Sequence, residues 1–301
     1  MAQDLTGVRV GIIGGDRREL EVARIFSAHG MDVRAVCLPW PDDVQHLANR
    51  FEDVLAWADL LLAPVGGVDR FGQVAYVIVA GDDVPPPRLT LETLRAVRSG
   101  TPLYIGAATQ ALRQACATLG IELVEFRESD EFAWRNAVPT AEGAIQIAIQ
   151  HTDHTLHGSR ILVLGFGRSG TVLARTLRGL GADVAVCARG SVDIARAYAL
   201  GVRPHRMDDV AKLAAQAEVV FNTIPAPVLP ADVLRKMASG SVIIDIATAP
   251  GGTDFAVAKQ MGVQAFLTPG LPGITAPRTA GRIVADTILS LWHDRQEGNG
   301  A

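Results

Sequence analysis

The chain has 301 residues, of which 49% are hydrophobic, with a formal net charge of −4 at pH 7 and three cysteines. Its length favours two domains, and its negative net charge argues against a positively charged surface that binds nucleic acid. No apolar stretch is long enough to cross a bilayer, no signal peptide is recognisable, and the cysteines form no Cys-x-x-Cys pair, so we expect a cytoplasmic protein with no membrane partner.

The first half of the chain alternates apolar runs with helical segments, which predicts a parallel α/β sheet. The predicted strands cover residues 8–13, 32–37, 58–63, 75–80, 102–106 and 121–126. The opening strand–helix–strand unit recurs at an offset of 151 residues, which aligns Gly14 with Gly165. The first half is therefore interpreted as an imperfect copy of a later unit.

In the first copy, Asp16 and Glu19 stand where a nucleotide-binding loop has its second and third glycines. Carboxylates at these positions would repel a pyrophosphate, so this copy is predicted to bind no dinucleotide. Two interpretations remain open: a structural turn in which Asp16 caps the helix, and a helix N-terminus that holds part of a substrate.

A connecting helix is predicted to open at Pro139-Thr140, within a linker at residues 136–157. It runs toward three histidines with H-x-x-H-x-x-H spacing, which are His151, His154 and His157. Because no cysteine or glutamate joins them, a polar helix end closed by Gly158 is favoured over a metal site, and no metal is expected.

The most informative motif follows the strand at 161–164 and has the spacing G-x-G-x-x-G. A helical pattern then runs to Leu180, and a second strand covers residues 183–188. Strand, glycine turn and helix form the dinucleotide-binding fingerprint, in which the helix N-terminus faces the pyrophosphate. The predicted cofactor-binding residues of this loop are Gly165, Phe166, Gly167, Arg168, Ser169 and Gly170.

The end of that second strand bears on the choice of cofactor. No carboxylate is present there to bond the adenosine ribose of NAD. Arg189 can instead face a 2′-phosphate and Ser191 can donate to it, which predicts NADP, with NAD as the alternative cofactor. The structural alternative is a solvated Arg189 that contacts no ligand.

Three later loops leave the carboxyl ends of predicted strands and are expected to surround the nicotinamide. Their candidate cofactor-binding residues are Asn222, Thr223, Ile224, Pro225, Ala247, Pro269 and Gly270. The predicted fold is α/β, with two Rossmann-like doubly wound parallel-sheet domains joined by linker helices. The predicted parts are a substrate or partner domain (1–135), a linker helix (136–157), an NADP-binding domain (158–276) and a C-terminal helix that packs back on the first domain (277–301).

Loop motifs distributed along the whole chain together resemble the A subunit family of dipicolinate synthase. They are Gly-Gly-Asp-Arg-Arg-Glu from Gly14, Pro-Thr-Ala-Glu-Gly-Ala from Pro139, Gly-Phe-Gly-Arg-Ser-Gly from Gly165, Asn-Thr-Ile-Pro from Asn222, Asp-Ile-Ala-Thr-Ala-Pro-Gly-Gly-Thr-Asp from Asp245 and Gly-Leu-Pro-Gly-Ile-Thr from Gly270. The layout is more distantly similar to alanine dehydrogenase and the 2-hydroxyacid dehydrogenases.

This resemblance implies an oxidoreductase that converts the cyclic dihydrodipicolinate to dipicolinate and passes hydride to NADP, in a branch from lysine biosynthesis. It also implies a partner, the flavoprotein-like B subunit of dipicolinate synthase, and a place in the mother cell of a sporulating bacterium, where dipicolinate enters the spore as its calcium chelate. The apolar C-terminal helix further predicts a homo-oligomer.

A small dicarboxylate substrate needs cations or N–H groups at its two anionic ends. The substrate-binding candidates are Arg17, Arg18, Thr140, Thr275 and Arg278. The first two arginines have the alternative of pairing with Asp16 and Glu19, and the last has the alternative of facing water. The candidate catalytic carboxylates are Glu142 and Asp245, whose structural alternatives are a first-turn helix carboxylate and a loop cap; water is a third proton acceptor.

Two other functions remain open at this stage. One is an alanine- or 2-hydroxyacid-type dehydrogenase that acts on another small carboxylate, although such reactions need a His or Lys acid and none is found in a predicted cleft loop. The other is a non-catalytic NADP-binding or assembly subunit, which the altered first glycine loop and the missing base both allow.

Overall fold

The computed structural model describes residues 5–38, 50–74 and 87–298. The chain divides into two compact units, of which unit 1 comprises Met1–Ala133 and Ala276–Ala301 and unit 2 comprises Trp134–Thr275. Strands and helices alternate in both units, and the strands of both sheets pair in parallel. The predicted fold class is therefore confirmed, while the strand predicted at 75–80 lies outside the described residues.

Over its described residues, the sheet of unit 1 has five strands: β1 (Arg9–Ile13), β2 (Asp32–Val36), β3 (Leu60–Leu62), β4 (Leu103–Ile105) and β5 (Leu123–Glu125). Its helices are α1 (Arg17–Ala28), α2 (Phe51–Trp57), α3 (Leu91–Leu94) and α4 (Gln110–Leu119). The strand order is β2-β1-β3-β4-β5. The sheet therefore grows in opposite directions from β1, and the carboxyl edge between β1 and β3 is the switch point where open α/β sheets bind ligands.

Alternate residues of the unit 1 strands face opposite sides of the sheet, as the period of a strand requires. Val10 and Ile12 of β1 pack in one apolar core, and Ile13 packs in the other. Both faces are covered by helices, so the strands are apolar on both sides.

Tyr104 of β4 is fully buried, and its hydroxyl has no hydrogen-bond partner in the part of the chain that the structure describes. Burial, with a contribution from Glu122, raises the pKa of this phenol to about 12. Because an unpaired buried hydroxyl costs free energy, Tyr104→Phe is expected to leave the free energy of unfolding unchanged or to raise it by about 1 kcal/mol. Urea unfolding measures this change, with the exposed Tyr198→Phe as the control; a clear loss of stability would show that the hydroxyl has a partner.

α5 (Asp130–His151) follows unit 1 and is longer than the sequence predicts. The prediction placed its start at Pro139, because proline is favoured in the first turn of a helix. Pro139 lies inside the helix instead, where its ring nitrogen leaves one backbone carbonyl without its usual donor, a loss that 22 residues of helix tolerate. From Ala141 to Ala148 the buried face of α5 packs in a core of unit 2.

The sheet of unit 2 has six strands: β6 (Arg160–Leu164), β7 (Asp183–Ala188), β8 (Arg203–Arg206), β9 (Val219–Asn222), β10 (Val242–Asp245) and β11 (Gln264–Leu267). Its later helices are α6 (Arg168–Gly179), α7 (Ser191–Ala199), α8 (Val210–Ala214), α9 (Ala231–Leu234), α10 (Phe255–Gln260) and α11 (Leu271–Thr275). The strand order β11-β10-β9-β6-β7-β8 is the one typical of dinucleotide-binding domains, with the ligand crevice at the carboxyl ends of β6 and β9.

The last helix, α12 (Pro277–Gly298), returns to unit 1 and packs along α1. Gly281 allows this approach, because a Cβ at that position would lie 2.6 Å from the carbonyl oxygen of Arg18. Trp292, further along α12, packs in the same core as Phe26 of α1. The first turns of α1 and α12 therefore lie side by side, at the carboxyl edge of the unit 1 sheet.

Candidate active site

The glycine-rich loop between β6 and α6 gives each glycine a different steric role. Gly165 has φ +93°, a left-handed value that favours glycine, and its N–H donates to the carbonyl of Cys187 at 2.9 Å. A Cβ on Gly170 would overlap the backbone of Gly165, so this glycine permits close packing of helix on strand. Gly167 has no atom within 4 Å of an added Cβ, so the space beside it is open.

The N-terminus of α6 opens into that space. Gly167 is the N-cap and contributes no capping side chain, and the first turn carries no acidic residue. The first N–H groups of a helix lack partners within the helix, and its dipole is positive at this end. This part of unit 2 therefore fits the pyrophosphate of a dinucleotide, with the exposed Arg168 beside it.

The turn after β7 carries the residues predicted to select the cofactor. Arg189 and Ser191 are both exposed. Arg189 forms no ion pair with another described residue. Asp193, which the sequence prediction overlooked, folds back over this turn, so that its Oδ2 lies 3.3 Å from a Cβ built on Gly190. The signal for it was present, since Asp193 occupies the third position of α7, where side chains return to the N-cap.

The loop after β9 is organised by hydrogen bonds of two side chains, the buried Asn222 and the half-buried Thr223. Asn222 Nδ2 donates to the carbonyl of Ile224 and to Asp245 Oδ1, both at 3.0 Å, and Asn222 Oδ1 accepts from Ile224 N–H at 3.0 Å. Thr223 Oγ1 donates to the carbonyl of Leu164 at 2.9 Å, which ties this loop to β6. Pro225 is exposed. The side-chain amide of Asn222 therefore shapes the loop after β9, and its predicted contact with the cofactor stays a prediction.

Asp245 is fully buried at the end of β10 and accepts four hydrogen bonds. Asn222 Nδ2 donates to Oδ1 at 3.0 Å, and Ala247 N–H donates to the same oxygen at 3.1 Å. Gly252 N–H and Thr253 Oγ1 both donate to Oδ2 at 2.8 Å. This arrangement matches the loop cap that was the structural alternative for Asp245.

The loop after β11 supplies the other predicted nicotinamide contacts. The N–H of Thr268 donates to the backbone carbonyl of Asp245 at 2.9 Å, and Pro269 and Gly270 beyond it are exposed. Gly270 has φ +74°. Residues 271–275, predicted as loop, form the single helical turn α11 instead, for which a segment with two glycines and a proline in six residues gives little sequence signal.

Two of the family-like motifs meet where α11 packs on α5. A Cβ on Gly143 would lie 2.9 Å from Thr275 Oγ1 and 3.1 Å from Leu271 Cβ. Thr275 Oγ1 donates to the carbonyl of Leu271 at 2.9 Å, and Thr140 Oγ1 donates to that of Asn136 at 2.7 Å. Both hydroxyl protons are therefore used within their own helices, which leaves only acceptor capacity for a ligand.

Glu142 is exposed and lies in the middle of α5. Its structural alternative, a first-turn helix carboxylate, is wrong, because the helix begins twelve residues earlier at Asp130. A mid-helix position also removes the stabilisation that the positive end of the dipole gives to an ionised carboxylate.

In unit 1, three charged residues close the N-terminus of α1. Asp16 is the N-cap: it accepts from Arg18 N–H at 2.9 Å, and its own N–H donates to Glu19 Oε2 at 2.8 Å. Arg18 Nη2 donates to Asp16 Oδ2 at 2.7 Å, and Glu19 Oε1 accepts from Val65 N–H at 3.0 Å. The structure thus shows the capping interpretation of this turn, and the guanidinium of Arg18 is paired rather than free for a substrate.

Burial and charge act in opposite directions on these carboxyls. Burial raises the pKa of Glu19, against the attraction of Arg18. Burial alone would also raise the pKa of Asp16, but the hydrogen bond and charge of Arg18 outweigh it and hold that pKa below its ordinary value. The turn is therefore a compact ionic cap.

Arg17 and Arg278 differ from Arg18, because both are exposed and neither makes an ion pair with a described residue. Arg17 begins α1, and Arg278 is the second residue of α12. Because Gly281 brings the first turns of these helices together, both cations stand at the carboxyl edge of the unit 1 sheet.

The three histidines after α5 have separate partners. His151 stacks on Phe266 with ring centroids 4.1 Å apart, and His154 Nδ1 lies 3.1 Å from Ser159 Oγ. His157 Nδ1 lies 3.2 Å from a backbone carbonyl at the end of α6. Across residues 5–38, 50–74 and 87–298 no three metal-ligating side chains are grouped. Over the same ranges, no helix combines the length and apolarity needed to cross a membrane.

The sequence matches two protein families in succession. Residues 9–127 match the family described as the N-terminal domain of the dipicolinate synthase A subunit. Residues 135–260 match the NAD binding domain of D-isomer specific 2-hydroxyacid dehydrogenases. The second match covers the glycine loop, the open helix N-terminus and five of the six strands of the sheet that carries them.

Relatives of known identity cover nearly the whole chain. The dipicolinate synthase A subunit from Bacillus subtilis (strain 168) is 36% identical over 302 residues, which span 98% of this chain and 99% of the relative. The crystal structure of the A subunit from Bacillus halodurans is 39% identical, with a TM-score of 0.89 over 96% of this chain and 99% of that one. The crystal structure of the Bacillus subtilis protein is 35% identical, with a TM-score of 0.87 over 98% of both chains.

A dehydrogenase-type domain that has a glycine-rich loop and an open helix N-terminus for a dinucleotide defines an NAD(P)-binding oxidoreductase. Within that class, the matches over both units are specific: the chain belongs to the A subunit family of dipicolinate synthase. The resemblance stated from the loop motifs and the prediction of a nicotinamide dinucleotide cofactor are both confirmed. The roles assigned to individual site residues stay predictions.

Proposed function

We propose that this chain is the A subunit of a dipicolinate synthase, which oxidises dihydrodipicolinate to dipicolinate with NADP during spore formation, in a branch from lysine biosynthesis. The observation that carries the proposal is the open helix N-terminus at Gly167 in a chain that belongs to this family. Dihydrodipicolinate loses a hydride and a proton in this reaction, and the bound dinucleotide supplies the hydride acceptor.

Unit 2 holds the cofactor in this proposal. The first turn of α6 binds the pyrophosphate, and the loops that end β9, β10 and β11 surround the nicotinamide. Arg189 and Ser191 bind the 2′-phosphate, which favours NADP over NAD. Asp245 acts as a positioning residue, because three of its hydrogen bonds hold the loop that begins at Ala247 and the fourth joins it to Asn222.

Unit 1 supplies cations for the substrate carboxylates. Arg18 is committed to Asp16, so Arg17 and Arg278 are the residues we assign to this role. A guanidinium matches a carboxylate in shape and charge, and an exposed one is available to a ligand.

The proton that leaves the ring is assigned to water. Asp245 has both oxygens occupied by donors, and Glu142 is exposed to solvent in mid-helix. Formation of the aromatic product makes the departing proton acidic, so a strong base is unnecessary. Glu142→Gln is therefore compatible with full activity in this proposal.

The test is absorbance at 340 nm with enzymatically generated dihydrodipicolinate. Purified chain is assayed with NADP and with NAD, each in the presence and absence of the B subunit of a dipicolinate synthase. NADPH formed together with dipicolinate supports the proposal. Activity that appears only when the B subunit is present supports an active site shared by the two subunits, or a nucleotide-binding assembly role for this chain. Tight NADP binding without turnover in any of the assays contradicts the proposed substrate.

Arg278→Met is expected to raise the KM for dihydrodipicolinate by about tenfold or more, since a lost charge-assisted hydrogen bond costs about 1.5–3 kcal/mol. Its effect on the Kd of NADP should be small, because the residues predicted to bind NADP all belong to unit 2 and do not include Arg278. Initial rates over a range of substrate concentrations measure the change. The control is Arg95→Met. Arg95 is an exposed arginine of unit 1 at the end of α3, where the chain runs toward the amino edge of the sheet. Equal KM values in the two variants would remove Arg278 from the site.

A further inference from the structure

The turn after β7 contains an ion pair as well as the exposed Arg189. Arg196 Nη2 donates to Asp193 Oδ1 at 2.8 Å, and the other carboxylate oxygen lies beside Gly190. The two side chains are 37% and 38% exposed, so the pair is accessible to a ligand in the turn. A carboxylate thus stands within the region that meets the adenosine ribose in this fold.

Arg196 also reaches the glycine-rich loop. Its Nη2 donates to the carbonyl oxygen of Phe166, and its guanidinium carbon lies 5.3 Å from the centroid of the Phe166 ring. Arg196 therefore joins the two loops that bind the dinucleotide in this fold, the one that holds the pyrophosphate and the one that meets the ribose.

We propose that the Asp193–Arg196 ion pair sets the preference between NADP and NAD. This inference rests on the proposed use of a nicotinamide dinucleotide and adds two specificity-determining residues to it. A carboxylate at this turn accepts from the ribose 2′-hydroxyl of NAD and repels the 2′-phosphate of NADP. Arg196 neutralises Asp193, so Arg189 and Ser191 meet the 2′-phosphate without an opposing charge.

Loss of Asp193 and loss of Arg196 should then move the preference between NADP and NAD in opposite directions. Asp193→Asn deletes the carboxylate and leaves Arg196 as an additional cation, which favours NADP. Arg196→Met leaves Asp193 as an unpaired anion, which favours NAD, and it also removes the bond to the Phe166 carbonyl. The second change weakens both cofactors, but NADP more than NAD.

The experiment is isothermal titration of the full chain with NADP and with NAD, without substrate. We expect Asp193→Asn to raise the ratio Kd(NAD)/Kd(NADP) about tenfold, which corresponds to about 1.4 kcal/mol. We expect Arg196→Met to lower the ratio about tenfold, and Arg196→Lys to restore most of it. The matched control is Arg203→Met, which breaks the ion pair between Arg203 Nη2 and Asp183 Oδ2, also 2.8 Å long, at the opposite end of β7.

The inference is overturned if the ratio Kd(NAD)/Kd(NADP) is unchanged in both Asp193→Asn and Arg196→Met. This includes the case in which Arg196→Met weakens the binding of both cofactors equally. If Arg196→Met does not fold, Asp193→Asn alone decides. The unmodified chain tests the proposed cofactor separately: a preference for NAD in that chain contradicts NADP as the cofactor, whereas the shifts in the variants still test the ion pair.

Discussion

Gly167→Val is expected to abolish nicotinamide dinucleotide binding while the fold stays intact. The backbone of Gly167 has φ −73° and ψ −163°, an extended conformation open to any residue, and an added Cβ meets no atom within 4 Å. The isopropyl group would therefore fill the open space in which we propose that the pyrophosphate binds. We expect the Kd of NADP to rise at least about 100-fold, or about 2.7 kcal/mol, with little change in the urea midpoint of unfolding.

Gly179→Val is the matched control for this prediction. Gly179 ends the same helix, and a Cβ there also meets nothing within 4 Å. Isothermal titration should give the control the Kd of the unmodified chain. Gly170 is unsuitable as a test site, because a side chain there would overlap Gly165 and disturb the fold itself. Tight NADP binding by the Gly167 variant would mean that the phosphates do not pass over this position.

Asp245→Ala is expected to lower the free energy of unfolding by at least about 3 kcal/mol, because it leaves buried donors unpaired. Ala247 N–H, Gly252 N–H and Thr253 Oγ1 would each lose an acceptor inside unit 2. Urea unfolding followed by far-UV circular dichroism measures the loss. The control is Asp254→Ala, which removes a single helix N-cap bond to Val257 N–H at 3.1 Å and should cost about 1 kcal/mol.

The same position separates a positioning role from a catalytic one. A catalytic base at Asp245 predicts a stable Asp245→Asn protein whose kcat has collapsed. A positioning role predicts that the asparagine variant is also less stable, since its NH₂ group faces N–H or O–H donors on whichever side it lies. A variant of full stability with lost turnover would return Asp245 to the catalytic candidates.

Local signals in the sequence were enough for the fold and for the cofactor loop. Buried parallel strands are short apolar runs. Gly165 and Gly170 answer a steric demand of their surroundings, and Gly167 leaves the space beside it open. The first copy of the loop was also interpretable, because a carboxylate at a helix N-cap has a known local role. These features depend on residues close together in the chain.

The features that were missed depend on partners distant in the chain or on weak local signals. The early start of α5 was hidden by Pro139, whose local preference for a first turn is overridden: the helix already includes Phe132, which packs in a core of unit 1. Three of the four bonds to Asp245 come from the loop that follows β10, whereas the fourth comes from Asn222 at the end of β9, and only the fold brings that donor to it. Asp193 was overlooked because it lies beyond the end of β7, inside the next helix, and returns to the turn only through its side chain.

The carboxylates of Asp16 and Glu19 have a consequence for how the two halves of the repeat depend on small molecules. In unit 2 a helix N-terminus is left open, and in our proposal a phosphate group of the dissociable cofactor completes it. In unit 1 the corresponding positive end of α1 is completed by the side chains of Asp16 and Glu19, which belong to the chain and cannot dissociate. Loss of the cofactor is therefore expected to destabilise unit 2 only, because the anions that complete the helix of unit 1 are part of the chain.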